Sequence, residues 1–400
     1  MEPVTHILTG ACLSRAGLNR RAAYATLTMA IAAEFPDIDT FWGLRGPVAA
    51  FQHHRGITHT FVALPVEAAI VVGAVYILHR IFAKRTVGTD APNPKSPPPA
   101  PLRWGLLYGF ALIALLSHLL LDYSNNYGLR PFFPFNPRWY AGSFVFIFDP
   151  LIFLLLALAF LMPPLFALIN SEVGARRQRF RGRGWAIASL VCIALVWGLR
   201  ATEHARAVLL ASAQSVALPQ PAAPSTAPDT TAQDTTAPDT TAPDTTPPTQ
   251  FSQPLRVLAN PDPINPFRWH MVSDFGGFYQ LAEVNLLNNS LSPAQDIHVK
   301  PARTPALVAA EASPLGRVYM DWSPMPFLTV SPPGDPTRPP TDAEDDPGAA
   351  SATIVTFRDP RFMIDIPLLR SYSNPPLTGT VELGPQLQIL RQTMNGGVQH

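Results

Sequence analysis

Apolar residues gather in four long blocks in the first half of the chain, separated by short polar stretches rich in arginine. A helix needs about 20 mostly apolar residues to cross a bilayer. Residues 60–82 reach that length with Glu67 as the only acid inside. Residues 104–121, WGLLYGFALIALLSHLLL, are slightly short but carry no formal charge. Residues 144–169 are long enough, with Asp149-Pro150 near the start and Pro163-Pro164 near the end. Residues 185–199 must extend to about Glu203 to span. A weaker stretch, AAYATLTMAIAA at 22–33, is too short to cross and predicts a buried or interfacial helix.

The pattern then changes. Residues 226–245 read TAPDT TAQDT TAPDT TAPDT, without one large apolar residue. Such a segment cannot bury a core and predicts an extended, disordered linker. From residue 251, short runs such as GRVYMDW and ATIVTFRD predict strands, divided by a proline- and acid-rich insert at 332–350. The expected organisation is mainly α: a polytopic helical membrane domain (1–210) with a His/Asp site at one membrane face, a linker (211–250), and a small β-rich C-terminal domain (251–400) to which no motif assigns a role.

Basic residues in short loops set the orientation of such a protein. The 170–184 loop holds five arginines, and the 83–103 loop holds Lys84, Arg85, Lys95 and Arg103. The 122–143 loop holds only Arg130 and Arg138. The two basic loops are expected in the cytoplasm, which puts residues 1–59, 122–143 and the C-terminal domain outside an inner, cytoplasmic membrane. Arg15, Arg20, Arg21, Arg45 and Arg55 run against that assignment, because it places them on the outer side. The N-terminal stretch lacks a basic start and a clean apolar core, so no cleaved signal peptide is expected.

Composition narrows the picture further. Charged residues make up 14% of the 400 residues, and there are 45 prolines. The net charge of +1 offers no bulk attraction to nucleic acid. The two cysteines, Cys12 and Cys192, both lie in apolar stretches, which excludes a disulfide framework and a cysteine zinc site. The expected partners are the lipid bilayer and a small-molecule or lipid substrate.

Against this apolar background the histidines and aspartates stand out. His53, His54 and His59 lie in HHRGITH, directly before the first span. His118 and Asp122 lie four apart on an apolar helix, so they share one face. Asp37 and Asp39 follow the short apolar helix, His6 lies near the start, and Asp149 opens the third span. On the expected topology most of these meet at one depth. Consecutive helical residues diverge by about 100°, so only one of His53 and His54 faces a common site. Imidazoles and carboxylates together suit a divalent metal, zinc first among them. A carboxylate not used as ligand, Asp39 or Asp149, would serve as general base, and Arg55 would hold an anionic substrate. The rival expectation is a non-enzymatic membrane protein whose metal is structural and whose linker displays the C-terminal domain.

Five pieces in this order, THILTG at 5–10, PDID at 36–39, HRGITH at 54–59, HLLLD at 118–122 and FIFDP at 146–150, give the first 205 residues a family likeness. This half resembles the YdjM-like, LexA-regulated family of inner-membrane proteins. The resemblance implies a polytopic membrane protein with a metal-dependent hydrolase site. It implies His6, Asp37, Asp39, His54, His59, His118 and Asp122 as metal residues.

Overall fold

The computed structural model describes residues 2–83, 100–172, 182–214, 216–217, 251–292, 296–335, 351–363 and 375–399. The TAPDT repeat and most of the 332–350 insert lie outside these residues, as do the central parts of both basic loops.

The chain opens with a helical hairpin, α1 (Pro3–Arg15) and α2 (Ala25–Glu34). Glu2 caps α1 by accepting from the backbone N–H groups of Val4 and Thr5, and Pro3 suits the first turn. The two helices run antiparallel, with Ser14 bonded to Thr26 through their hydroxyls. Gly10 sets how closely they cross. A Cβ there would stand 2.2 Å from the Met29 carbonyl oxygen and 2.6 Å from the Ala33 Cβ. A 3₁₀ segment (Phe35–Arg45), a short helix α3 (Pro47–His53) and a 3₁₀ turn (Ile57–His59) lead into the first long helix.

Four long helices follow: α4 (Leu64–Ala83), α5 (Trp104–Ser124), α6 (Pro150–Glu172) and α7 (Arg183–Ser212). All four are long and apolar enough to cross a membrane. At 30 residues, α7 runs roughly 45 Å, against a hydrocarbon core of about 30 Å, so its last turns clear the bilayer. The hairpin is wedged among these helices. Met29, Ala32 and Ala33 of α2 are buried with Ala68 of α4 and Ala111, Ala114 and Leu115 of α5. On the other side, Cys12 of α1 is buried with Ile152 and Leu156 of α6 and Ala186 of α7.

The hairpin is therefore re-entrant. The Arg183 guanidinium donates to the Ala16 carbonyl at its tip, at 3.0 Å. Arg15, Arg20 and Arg21, which a simple loop tally puts on the outer side, lie at the Arg183 end of the bundle. His6 and Asp37 lie at the other end, with Asp122.

After α7, β1 (Val216–Ala217) pairs with β2 (Phe251–Ser252). A first antiparallel sheet has the order β3 (Arg256–Pro261), β4 (Arg268–Asp274), β5 (Phe278–Asn285), β6 (Ser290–Leu291), with β7 (Asp296–Val299) also on β5. Helices α8 (Pro305–Glu311) and α9 (Pro314–Trp322) follow. A second antiparallel sheet is a meander of β8 (Phe327–Ser331), β9 (Thr353–Arg358), β10 (Gly379–Leu383), β11 (Ile389–Met394) and β12 (Gly397–Gln399). ATIVTFRD forms β9, as its pattern predicts. GRVYMDW does not form a strand: it is most of α9. Ser313 caps that helix and Pro314 starts it, and Leu315, Tyr319 and Trp322 then fall on one buried face.

This β-rich region rests on the helices. Val355, Phe357, Val381 and Leu383 pack with α9, with Val48 and Phe51 of α3, and with Tyr127 just after α5. Trp269 and Met271 of the first sheet pack on Ala207 and Ala211 of α7. Arg200 of α7, fully buried, pairs with Asp149 at 2.9 Å and donates to the Asp262 carbonyl.

Candidate metal centre

Four side chains converge at the end of the bundle opposite Arg183. Asp37 comes from the 3₁₀ segment, His59 from the 3₁₀ turn before α4, and His118 and Asp122 from adjacent turns of α5. Their four ligand atoms lie within 4.8 Å of one another. The His59 Nε2 lies 3.0 Å from His118 Nε2, 3.2 Å from Asp37 Oδ1 and 3.4 Å from Asp122 Oδ2. The His118 Nε2 lies 3.5 Å from Asp122 Oδ2 and 3.7 Å from Asp37 Oδ1. Ligands about 2.0–2.1 Å from a tetrahedral zinc ion are spaced roughly 3.3 Å apart, so the group has the size such an ion requires.

Hydrogen bonds behind the cluster fix which nitrogens face it. The Nδ1 of His118 lies 2.7 Å from the Ala33 carbonyl oxygen. A carbonyl only accepts, so Nδ1 carries the proton and the Nε2 lone pair faces the cluster. The Nδ1 of His59 lies 3.1 Å from the Thr58 hydroxyl and 3.4 Å from Asp39 Oδ2, which leaves its Nε2 toward the cluster. Metal-binding histidines characteristically have such a partner on the far nitrogen. His6 stacks on His118 with ring centroids 3.9 Å apart, and its Nε2 lies 3.4 Å from Asp122 Oδ1.

Charge favours a cation here. Asp37, Asp39 and Asp122 surround the site, and Arg55 is the guanidinium paired with Asp122. Metal binding requires neutral imidazoles; the three carboxylates and Arg55 then leave two negative charges, which a divalent ion balances. Burial alone would raise the Asp37 carboxyl, but the His59 hydrogen bond and the charges of His118 and His59 outweigh it and hold it well below the usual carboxylate range. Burial would likewise lower His59, yet its bonds to Asp122 and Asp37 raise it to about 9.

A sequence model of YdjM inner membrane proteins matches residues 1–207, more than half of the chain. The chain belongs to the YdjM inner membrane protein family. It is a membrane protein with a His/Asp cluster able to hold a metal ion. The Uncharacterized protein YfhP of Bacillus subtilis (strain 168) is 26% identical over 162 residues, 38% of this chain and 43% of that protein. This chain thus spans less than half the length of that curated relative. No solved structure matches the chain significantly.

In this YdjM-family protein the remaining sequence candidates sit one step away from the four ligand atoms. Asp39 Oδ2 also accepts from the Arg55 backbone N–H at 2.7 Å, and Asp39 Oδ1 lies 3.3 Å from His54 Nδ1. His53 turns away and stacks on Trp42. Arg55 adopts a left-handed backbone, φ 52°, which turns its side chain inward. Its guanidinium donates to Asp122 Oδ1 at 2.8 Å, to Asn125 Oδ1 at 3.1 Å and to the Gly128 carbonyl at 2.8 Å. Asp149 caps α6 through the N–H groups of Leu151 and Ile152 and pairs with Arg200.

Sequence reasoning did not single out Glu34 or Asn125. Glu34 ends α2, three residues before Asp37, and its Oε2 is buried without a hydrogen-bond partner. Burial and the neighbouring charge of Asp37 push its carboxyl up to about 8. The signal available was an acid at the end of an otherwise apolar run, directly before PDID. Asn125 accepts from Arg55 and from the Tyr127 N–H, and the Asn-Asn pair closing α5 was its only mark.

Proposed function

We propose that this protein is a metal-dependent hydrolase that cleaves an ester or phosphoester at the outer face of the cytoplasmic membrane, with its β-rich region on that side. The observation that carries the reading is a pair of imidazole Nε2 atoms, that of His118 fixed from behind by the Ala33 carbonyl, facing two carboxylates at metal-ligand spacing. His59, His118, Asp37 and Asp122 are the ligands in this reading. A divalent ion held there, zinc being the best fit to the donors, would supply Lewis acidity to the scissile group and to water. Arg55 holds Asp122 in place rather than the substrate. Asp39 orients His59. Glu34, whose carboxyl is pushed up by burial and by Asp37, is the proton donor to the leaving group in this reading. Orientation is supported by the end at which Arg15, Arg20, Arg21 and Arg183 collect, which on the basic-loop rule faces the cytoplasm.

The test is metal content by elemental analysis of detergent-purified protein, beside a His118→Ala, Asp122→Ala double variant. About one metal per chain, lost in the variant, is expected for a site of this donor number. No stoichiometric metal in protein supplied with zinc or manganese overturns the reading. One observation favours a structural metal instead: four protein ligands are the number that closes a structural site. Cobalt substitution separates the two. A d–d spectrum that shifts on adding phosphate marks an open position, and a spectrum insensitive to every added anion marks a closed, non-catalytic site.

A further inference from the structure

The way in to the cluster is short and one-sided. His59, His118 and Asp122 are fully buried, and Asp37 alone among the four ligands keeps some exposure, 15% of its side chain. The route to the ligand atoms therefore runs along the Phe35–Arg45 segment that carries Asp37. On the side of the β-rich region, the Asn125–Gly128 loop roofs Arg55, and it is held down from above by Trp322 and Arg361.

That segment does not look like the lip of a water-facing cleft. It exposes Ile38, Phe41 at 69% and Leu44 at 87%, three large apolar side chains within seven residues of the ligand. Exposed apolar patches of this kind mark contact with lipid or a partner. Continuity identifies the lipid. The segment packs against the Ile57–His59 turn and the start of α4. Ile57, Phe61 and Val62 are exposed there, and the track continues over Val66, Ile70 and Ile77 on the outward face of a spanning helix. The rim of the site is thus an extension of the surface that already faces acyl chains.

We infer that the substrate is a membrane phospholipid, which enters sideways from the leaflet on the cluster side, its acyl chains against Ile38, Phe41 and Leu44 and its headgroup phosphoester at the ligand atoms. This rests on the hydrolase reading above. The ligands sit at the ends of the spans, the depth of headgroup linkages rather than of chain ends. One water is consumed: its oxygen bonds to phosphorus, the bond from phosphorus to the leaving alcohol oxygen breaks, one proton ends on that oxygen, and the other stays on the new P–OH.

The experiment uses the full chain, metal-loaded, in nanodiscs, as wild type and as a Phe41→Ser, Leu44→Ser double variant. A phosphatidylglycerol with a photoactivatable diazirine on its acyl chain reports lipid contact. Phosphatidylglycerol, phosphatidylethanolamine and phosphatidic acid, each in dioleoyl and water-soluble dibutyroyl forms, report turnover, with p-nitrophenyl phosphate as a generic phosphoester. Labelling of the Phe35–Arg45 peptide is expected, falling about tenfold in the variant at unchanged metal content, as removal of two large apolar contacts implies. A preference for dioleoyl over dibutyroyl substrate of about tenfold or more, lost in the variant, is expected on the same ground. Labelling of that peptide no stronger than of the β-rich strands overturns the lipid route. Equal turnover of both chain lengths, unchanged in the variant, overturns the lipid substrate and leaves the hydrolase standing. Turnover of none of these esters by metal-loaded wild type removes the hydrolase reading, and the lipid substrate with it.

Discussion

In the proposed metal site His118 and Asp39 have different roles, and substitution should separate them. His118→Ala deletes a ligand, so metal content should fall to background in elemental analysis while membrane insertion is kept. Asp39→Asn leaves all four ligand atoms in place but weakens the hold on the His59 Nδ1–H, so metal affinity should fall about 10–100-fold, read by competition with a chelator. Arg55 makes a third case. Truncation to methionine would leave the buried Asp122 carboxylate with its histidine contacts but without the guanidinium, at a cost below the roughly 3–5 kcal/mol of a buried charge left wholly unpaired, visible as a lowered thermal midpoint in the metal-free protein. Glu34→Gln should keep full metal and lose about 10²–10⁴-fold in hydrolysis, once a substrate is in hand, because a proton donor contributes that much. The sequence made the His118/Asp122 pair legible because four-residue spacing fixes a shared helical face. It could not sort Asp37 from Asp39. On a 3₁₀ segment residues advance about 120° each, so these two aspartates point to different sides, one at the ligand atoms and one at the back of His59.

At the scale of elements, hydropathy found the four long helices because length and apolarity alone define a span. It found α2, as a short buried or interfacial helix at 22–33, but not α1 or the hairpin the two make. Helices of 13 and 10 residues are each too short to cross, and their buried face is made of Gly10, Ala32, Ala33 and similar small residues that read as neither core nor span. Close backbone approach is what those residues provide. Gly10→Ala should therefore cost about 1–3 kcal/mol through overpacking, because the Met29 backbone cannot yield as a side-chain tip could. Since α2 supplies the Ala33 carbonyl behind His118 and leads into Asp37, metal affinity should fall with stability. The same substitution at Gly73, where a Cβ meets nothing within 4 Å, is the control and should change neither. The α9 misreading has a similar origin. Valine, tyrosine and tryptophan in a short run suit a strand, and only the Ser-Pro start decides for a helix.

For the whole molecule, the β-rich region and the helices share a buried polar seam. Arg361 is locked by Asp359 through two hydrogen bonds of 2.9 and 2.7 Å and donates to the Asn126 carbonyl. Asn125, next along, holds Arg55, which holds Asp122. The chain of contacts joins the last quarter of the sequence to a candidate ligand on α5.

The wedged position of the hairpin also bears on how the protein is made. His6, Gly10 and Asp37 leave the ribosome before any of the helices that will enclose them. Two short helices with a small-residue face have no reason to enter lipid alone. The faces that bury them belong to α4–α7, so a segment made before those helices is seated only after them. A chain made only as far as α4 holds Asp37 and His59 of the four candidate ligands and lacks His118 and Asp122, so the cluster is complete only once α5 has joined the hairpin.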